Sequence, residues 1–541
     1  MNSLNIFNRD RSIDFLSTQT FDLLIIGGGI TGAGIALDAA HKGMKVALIE
    51  MQDFSAGTSS RSTKLIHGGL RYLKNLEFGL VMETGRERAV LHQNAPHLVH
   101  PEKMLLPLVQ NGKLGKTTTK LALWLYDLLA GVKKEDRKRM LSKQQTLELQ
   151  DGLIQENIIG GALYSEYRTD DARLTISILK TAIEKGALAV NYMRCLNISS
   201  DSKEVHYALA QDVFSQKEIN ISAKKIVNAA GPWVDDIRRM DGPLGNKQLH
   251  LTKGVHLVVN AERFKINQSC YVEIEDGRMI FAIPREGKVY IGTTDTDYQG
   301  DIRDPKLEIE DVKYLLTAIN KVFPKANLKS VDVISYWTGL RPLIAEKGKS
   351  NSEISRKDEI FISTNGLISI AGGKLTAYRK MAERVVQLVA KSIGNTNENS
   401  TNKLKISGAI AQEMMEPELT EFCTNFSDPI FWKNHLWTRY GGHAEEIMRN
   451  YYEFRSHEHK GENILKAEFK YCVENESCFG IYDFFAHRNA WLLFHPEKVE
   501  QYLDSLLEYA AKLLDISEFS LEIERKKFVH WFQFKNMLHN G

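Results

Sequence analysis

Gly27, Gly29 and Gly32 occupy the three glycine places of G-x-G-x-x-G, and Glu50 stands at the end of the next apolar run. Each type has a physical task. The first glycine permits a tight turn, the second lets backbone approach a pyrophosphate, and the third allows a helix to press on a strand. Gly28, Ile30 and Thr31 fill the turn and the helix start, where free N–H groups and a partial positive charge suit phosphates. Glu50 can accept a hydrogen bond from a ribose hydroxyl, which suits an adenosine ribose without a 2′-phosphate. The pattern specifies a dinucleotide; by itself it does not separate NAD from FAD.

A second segment, residues 55–73, follows directly. Gly57, Thr58, Ser59 and Ser60 put small hydroxyls where the chain passes the phosphates. After Lys64 and Leu65, His67-Gly68-Gly69 gives backbone with little side-chain bulk, then Arg71 and Tyr72. A flat ring system needs close backbone approach along one edge, and glycines allow it. Asn228-Ala-Ala-Gly231-Pro-Trp233 ends a strand in a turn and is equally readable as a plain β-turn. Ala371-Gly-Gly373-Lys374-Leu375-Thr376 repeats strand, glycine turn and helix start, a second N-terminus able to face an anion or a ring carbonyl.

The elements that must hold these residues are legible as alternating patterns. Residues 23–26 and 45–49 read as buried parallel strands around a helix; 83–92, 142–149 and 173–185 read as helices; 187–192 and 225–229 read as strands. From about residue 247 to 335 strand-like runs dominate (256–259, 279–283, 289–292, 331–334), suggesting a mixed sheet with a different task. Residues 359–370 and 372–389 return to strand, glycine turn and helix. The expected domains are an N-terminal arm at 1–20, a Rossmann-like nucleotide and substrate region at 21–393, a polar linker at 394–402 and a helical domain at 403–541. Within the second, nucleotide-binding parts fall at about 21–100, 170–240 and 340–393 and the substrate sheet at about 247–335. The class is α/β.

Bulk properties bound the function. A chain of 541 residues, 43% hydrophobic and 26% charged, suits a globular enzyme of two or three domains. A net charge of +2 gives no field for nucleic acid. Five cysteines without C-x-x-C argue for a reducing compartment and against a zinc site. The N-terminus lacks a signal-peptide core, and no window approaches a membrane span. Two segments are candidates for lipid contact: residues 121–132, LALWLYDLLAGV between lysines, and 525–535, RKKFVHWFQFK. For both, packing on the protein is the preferred expectation and a surface-lying membrane helix the other.

With those residues in view, the chain resembles the FAD-dependent glycerol-3-phosphate dehydrogenases of aerobic metabolism. The matching stretches are GGGITGAGIALDAA, TSSRSTKLIHGGLRYL, SEYRTDDARL, VNAAGPWVD, LTKGVHLVV, AIPREGKVYIGTTDTDY, TGLRPL and SIAGGKLTAYRKMAE. They run in family order from about residue 20 to 390; the rest matches more loosely. The resemblance implies the glutathione-reductase type of FAD fold, in the branch shared with amino-acid oxidases. FAD would lie along Gly27–Gly32, Glu50, Thr58–Leu65 with Ser59, Ser60 and Lys64, His67-Gly68, Gly231 and Gly373–Thr376 with Lys374 and Leu375. The substrate's phosphate would meet Arg71, Tyr72, Arg341 and Lys374.

The implied reaction moves hydride from C2 of glycerol 3-phosphate to flavin N5, giving dihydroxyacetone phosphate. The C2 hydroxyl must lose a proton, so a neutral imidazole in reach is needed. His256 in the substrate sheet is slightly preferred to His67 beside the flavin loop, and either could instead be structural. Val255 stands where many members have Ser, which puts one polar pocket contact in doubt, and Ala230 replaces a Thr. Arg341 and Lys374 lie too close in sequence for the long insert of the related oxidases. That favours a dehydrogenase passing electrons to membrane quinone over an oxidase using oxygen; an amino-acid oxidase of the same branch is the other alternative. The implied setting is cytoplasmic, with peripheral contact to the inner face of the membrane, in a homo-oligomer such as a dimer. No metal is expected.

Overall fold

The apolar run at the start of the chain becomes the strand Thr20–Ile26, with Leu23, Leu24 and Ile25 wholly buried, as a parallel strand covered on both faces requires. In the computed structural model, residues 4–67, 78–110, 138–201, 205–346, 358–454 and 459–540 are described, with isolated positions between 112 and 124. Gly68, Arg71 and Tyr72 lie outside the described residues. Thr20–Ile26 pairs in parallel with Val46–Ile49 on one side and Glu218–Asn228 on the other. Leu188–Val190 and Ile368–Ala371 extend the parallel core outward. The antiparallel strands Glu359–Ile362, Met193–Ser200 and His206–Asp212 complete the sheet.

Helices Ile30–His41, Asp171–Glu184 and Tyr378–Ile393 cover one face of this sheet and share one apolar cluster. The N-terminal arm forms the helix Arg9–Thr18, whose Ile13 and Leu16 join the cluster on the opposite face.

The second sheet is ten-stranded and mostly antiparallel, built around Lys247–Asn260 and Val333–Glu346. Both strands are much longer than the apolar runs that announced them. Residues 331–334 were expected as strand; Ser330–Asp332 instead form a 3-10 turn, and the strand starts at Val333. The expected run 359–370 is two short antiparallel strands, Glu359–Ile362 and Ile368–Ala371, so only the second joins the parallel core.

The C-terminal helices from Gln412 to Asn540 have their own core around Trp432, Phe469, Phe484 and Trp491. Residues 394–402 do not hang free. Asn395 donates to the Lys42 carbonyl and Asn399 to the His41 carbonyl, and Asn94 donates to the carbonyls of Thr401 and Asn402. In helix Glu518–Asn540, Phe528 joins the helical core and Phe534 packs on Tyr336 of the second sheet. The 525–535 segment is therefore packed on protein. All five cysteines are free and buried. Among the described residues, no helix is long and apolar enough to cross a membrane.

Candidate functional site

The G-x-G-x-x-G turn is shaped by two steric needs. Gly27 has φ +117°, and a Cβ there would stand 2.5 Å from the Ala229 carbonyl oxygen. A Cβ on Gly32 would stand 1.8 Å from the Gly27 carbonyl oxygen, so the helix can cross the turn only as glycine. Glu50 holds the far side. Its carboxylate accepts from the Gly28 N–H at 2.7 Å and the Gln52 N–H at 2.9 Å, and burial pushes its pKa up. Ser59 accepts from the Ile30 N–H at 2.8 Å, so a hydroxyl sits over the helix start.

These residues open on a cleft of about 1020 Å³, counting its solvent-open mouth. Gly27, Gly29, Ile30, Thr31, Glu50, Thr58, Ser59, Gly231, Gly373, Lys374 and Leu375 line it, so the structure brings together glycine turns far apart in sequence. Thr376 is buried beneath, donating to the His67 carbonyl at 3.0 Å, which ties the two halves. The cleft walls also include Trp233, from the turn at 228–233, and Met193, Arg194 and Cys195, which follow from sheet order and carried no sequence signal. Lys64, Leu65, Ser60 and Gly28 do not line the cleft. The Lys64 ammonium is buried against Asp171 and the Ser60 carbonyl. Leu65 and Ser60 are buried. The size, the helix start and the hydroxyl-rich wall fit an extended dinucleotide.

The second sheet presents a different chemistry. Thr252, Gly254 and His256 share one face of Lys247–Asn260 and pair with Arg341, Gly339 and Trp337. His256 stacks on Trp337, rings 4.5 Å apart and 10° from parallel, with Nε2 3.0 Å from the Thr63 hydroxyl. Burial, then the Arg341 charge, drives its pKa well below the usual histidine value, so the imidazole is neutral. The Arg341 guanidinium is fixed by the Thr294 carbonyl, Asp295 at 3.1 Å and the Thr293 hydroxyl at 2.9 Å.

Both side chains lie flat because the sheet has glycine beneath them. A Cβ at Gly254 would stand 2.5 Å from Arg341 Nη2, and one at Gly292 2.2 Å from His256 Cδ2. Sequence reasoning passed over both, although a glycine inside a strand signals a close approach. It also passed over Trp337 and Asp295, and read Thr63 only as part of the FAD segment Thr58–Leu65. His67 lies in other surroundings, near Glu166, Lys374 and Arg88; burial lowers its pKa too. Val255, whose type raised doubt about a pocket contact, points to the opposite face and its apolar cluster. Position 255 therefore does not bear on the polar face of this sheet.

Comparison with known proteins shows the family. Residues 22–379 match the family described as FAD dependent oxidoreductase, and 399–519 match the C-terminal domain of alpha-glycerophosphate oxidase. The aerobic glycerol-3-phosphate dehydrogenase of Staphylococcus saprophyticus is 45% identical over 538 residues, covering 97% of this chain and 96% of the relative. The chain belongs to the aerobic glycerol-3-phosphate dehydrogenase family, within the FAD-dependent oxidoreductases. The solved glycerol-3-phosphate dehydrogenase of Bacillus halodurans, complexed with FAD, has a TM-score of 0.84 at 39% identity and covers 98% of each chain. The L-alpha-glycerophosphate oxidase of Mycoplasma pneumoniae is 18% identical, with a TM-score of 0.56 over 69% of this chain and 95% of its own; it shares the fold alone. Like these family members, the chain is an FAD-dependent oxidoreductase by fold and by sequence.

Proposed function

We propose that this protein oxidises sn-glycerol 3-phosphate to dihydroxyacetone phosphate and passes the electrons to a quinone of the membrane. The observation that carries the reading is the face holding a fixed guanidinium, Arg341, and a neutral buried imidazole, His256, on one sheet beside a dinucleotide cleft. FAD, held by Gly27–Gly32, Glu50, Ser59 and the Gly373–Thr376 turn, supplies the two-electron acceptor when bound. Arg341 offers its fork to the phosphate dianion, joined by Lys374 and, by resemblance, by Arg71 and Tyr72. His256 takes the C2 hydroxyl proton as the carbonyl forms; being neutral, it is ready to do so. His67, also neutral, is the second candidate for that proton.

Membrane contact is part of the proposal. Leu121 and Trp124 are 64% and 54% exposed, next to exposed Lys120, while Leu123 is buried. Among the described residues of that segment, Leu121 and Trp124 face out while Leu123 packs, which suits an apolar surface lying on the membrane. A cytoplasmic homodimer is the accompanying expectation.

The test is anaerobic addition of glycerol 3-phosphate to the yellow holoprotein, with glycerol, lactate and glycine as controls. Bleaching of the flavin band by glycerol 3-phosphate alone is the expected result. Bleaching by glycine instead would return the amino-acid oxidase reading. Colour returning quickly with oxygen and slowly with a quinone analogue would refute the acceptor.

A further inference from the structure

Among the described residues, none of the C-terminal helices lines the cleft; they reach it from behind, at the wall that carries Glu50. Asp53, three residues after Glu50, is buried at 1% exposure. It accepts both Arg488 nitrogens, at 2.7 and 3.0 Å, and His487 Nδ1 at 2.8 Å. Arg488, wholly buried, also donates to the Glu476 carbonyl at 2.8 Å. Beside it, Asn191 bridges Asp53 and the Ser477 carbonyl, both at 3.0 Å, and the Tyr192 hydroxyl donates to Asp483 at 2.6 Å. Asp53, Asp483 and His487 could be read as metal ligands, their donor atoms lying within 4.8 Å. The Arg488 guanidinium already supplies the cation there.

Every strand end that these bonds reach leads to the cleft. The Glu50 N–H donates to the Val190 carbonyl, the Met193 N–H to the Glu50 carbonyl, and the Tyr192 N–H to the Gln52 carbonyl. Glu50, Met51, Ser55 and Met193 through Cys195 line the cleft from this side. Two short loops thus carry the ribose-side wall; Arg9 of the N-terminal helix holds the Tyr192 carbonyl at 3.2 Å, while the Asp53 carboxylate is held from the helical domain. The side-chain bonds on Asp53, Asn191 and Tyr192 come from residues 476–488 of the helical domain, more than 280 positions later in the chain.

We propose that the C-terminal helical domain is a cofactor clamp, with Arg488 as a positioning residue that acts through Asp53 on the Glu50 wall and Asp483 holding the same wall through Tyr192. The proposal rests on the reading that the cleft holds FAD. A buried fork on a carboxylate has one geometry, so it fixes the loop more tightly than apolar contact would. Rigid walls reduce the ordering cost of binding. Removing the fork lets Glu50 leave its place between Gly28 and Gln52, and FAD is then held by the glycine turns alone.

The matched control is Arg439. It is equally buried, also belongs to the helical domain, and pairs with Glu286 of the second sheet at 3.0 Å, away from Glu50. The experiment follows flavin release from holoprotein by fluorescence recovery, at a temperature where far-UV circular dichroism reports folded protein. Arg488→Met is expected to release FAD at least tenfold faster than the parent, with turnover restored by excess FAD and KM for glycerol 3-phosphate unchanged. Tyr192→Phe, which removes a single hydrogen bond, should release FAD severalfold faster and decides the matter if Arg488→Met does not fold. Arg439→Met should lose flavin only as it unfolds. Parental release rates in Arg488→Met or, failing that, in Tyr192→Phe would overturn the clamp, as would equally fast release from folded Arg439→Met. Parent protein that purifies without flavin and takes up none would sink the FAD reading itself.

Discussion

Gly254→Ala tests the cationic face most sharply, because it adds one methyl and no charge. The new Cβ would stand 2.5 Å from Arg341 Nη2 and 2.6 Å from the Thr293 hydroxyl oxygen, closer than side-chain carbons approach such atoms. Thr293 is short and anchored in the chain, so the guanidinium must lift. Lifting gives up its bonds to the Thr293 hydroxyl, the Thr294 carbonyl and Asp295, at 2.9, 3.2 and 3.1 Å. Those bonds aim the fork, and a fork out of plane keeps one phosphate bond and loses the other. A hydrogen bond to a charged group is worth about 1.5–3 kcal/mol. At ~1.4 kcal/mol per tenfold, kcat/KM for glycerol 3-phosphate should fall about 10- to 150-fold. Flavin content should stay at the parental ratio, since Gly254 does not line the cleft. The assay is dye-coupled turnover at varied substrate, repeated in an Arg341→Met background. There, adding Gly254→Ala should cost little more, because the group it displaces is gone. Parental kcat/KM in Gly254→Ala, or full additivity in the double variant, would refute the argument.

Gly32→Ala places a Cβ 1.8 Å from the Gly27 carbonyl oxygen; the helix must move off the turn, and the protein should purify with less than a tenth of the parental flavin-to-protein absorbance ratio (about one turn displaced in a packed motif). Stability should also fall steeply in acid. His97 is fully buried with neither ring nitrogen bonded, and burial pushes its pKa down to about 3. The unfolded chain binds that proton near pH 6.5 and the folded chain refuses it, so stability is present above pH 6.5 and is lost as pH falls towards 3, by ~1.4 kcal/mol per pH unit. Urea unfolding between pH 6.5 and 4.5 should show His97→Leu with a slope shallower by about one proton; an unchanged slope would contradict the assignment.

How far the sequence could be read depended on whether the information was local. The first glycine turn was fully legible, since its strand, helix and acid lie within thirty residues and each obeys a spacing rule. Strand lengths were not. Lys247–Asn260 and Val333–Glu346 extend well past their apolar cores because each is paired along its whole length with the other, and pairing is a property of the fold. Lys64 shows the same limit from the other side. Its place in a motif suggested the cofactor, yet its charge is spent on Asp171, over a hundred positions away. The walls at Met193–Cys195 and the bonds from Arg488 likewise exist only once Leu188–Val190 has taken the sheet's edge.

The most instructive omission is a pair of residues with no side chain. Gly254 interrupts the strand Lys247–Asn260 and Gly292 ends Lys288–Gly292, where glycine weakens a sheet by roughly a kcal/mol. A strand pays no such penalty without a reason, and local patterning offered none. The reason appears when the strands pair. Gly254 lies under Arg341, diagonally across the strand pair, and Gly292 lies directly across from His256, and neither side chain could otherwise lie flat. The Arg341 fork and the neutral His256 imidazole therefore share one device, a bare patch of backbone that lets a long side chain rest on the sheet instead of standing up from it. A sequence search for function in such a sheet should weigh its interior glycines as heavily as its charged residues, because the glycines determine where the charges can lie.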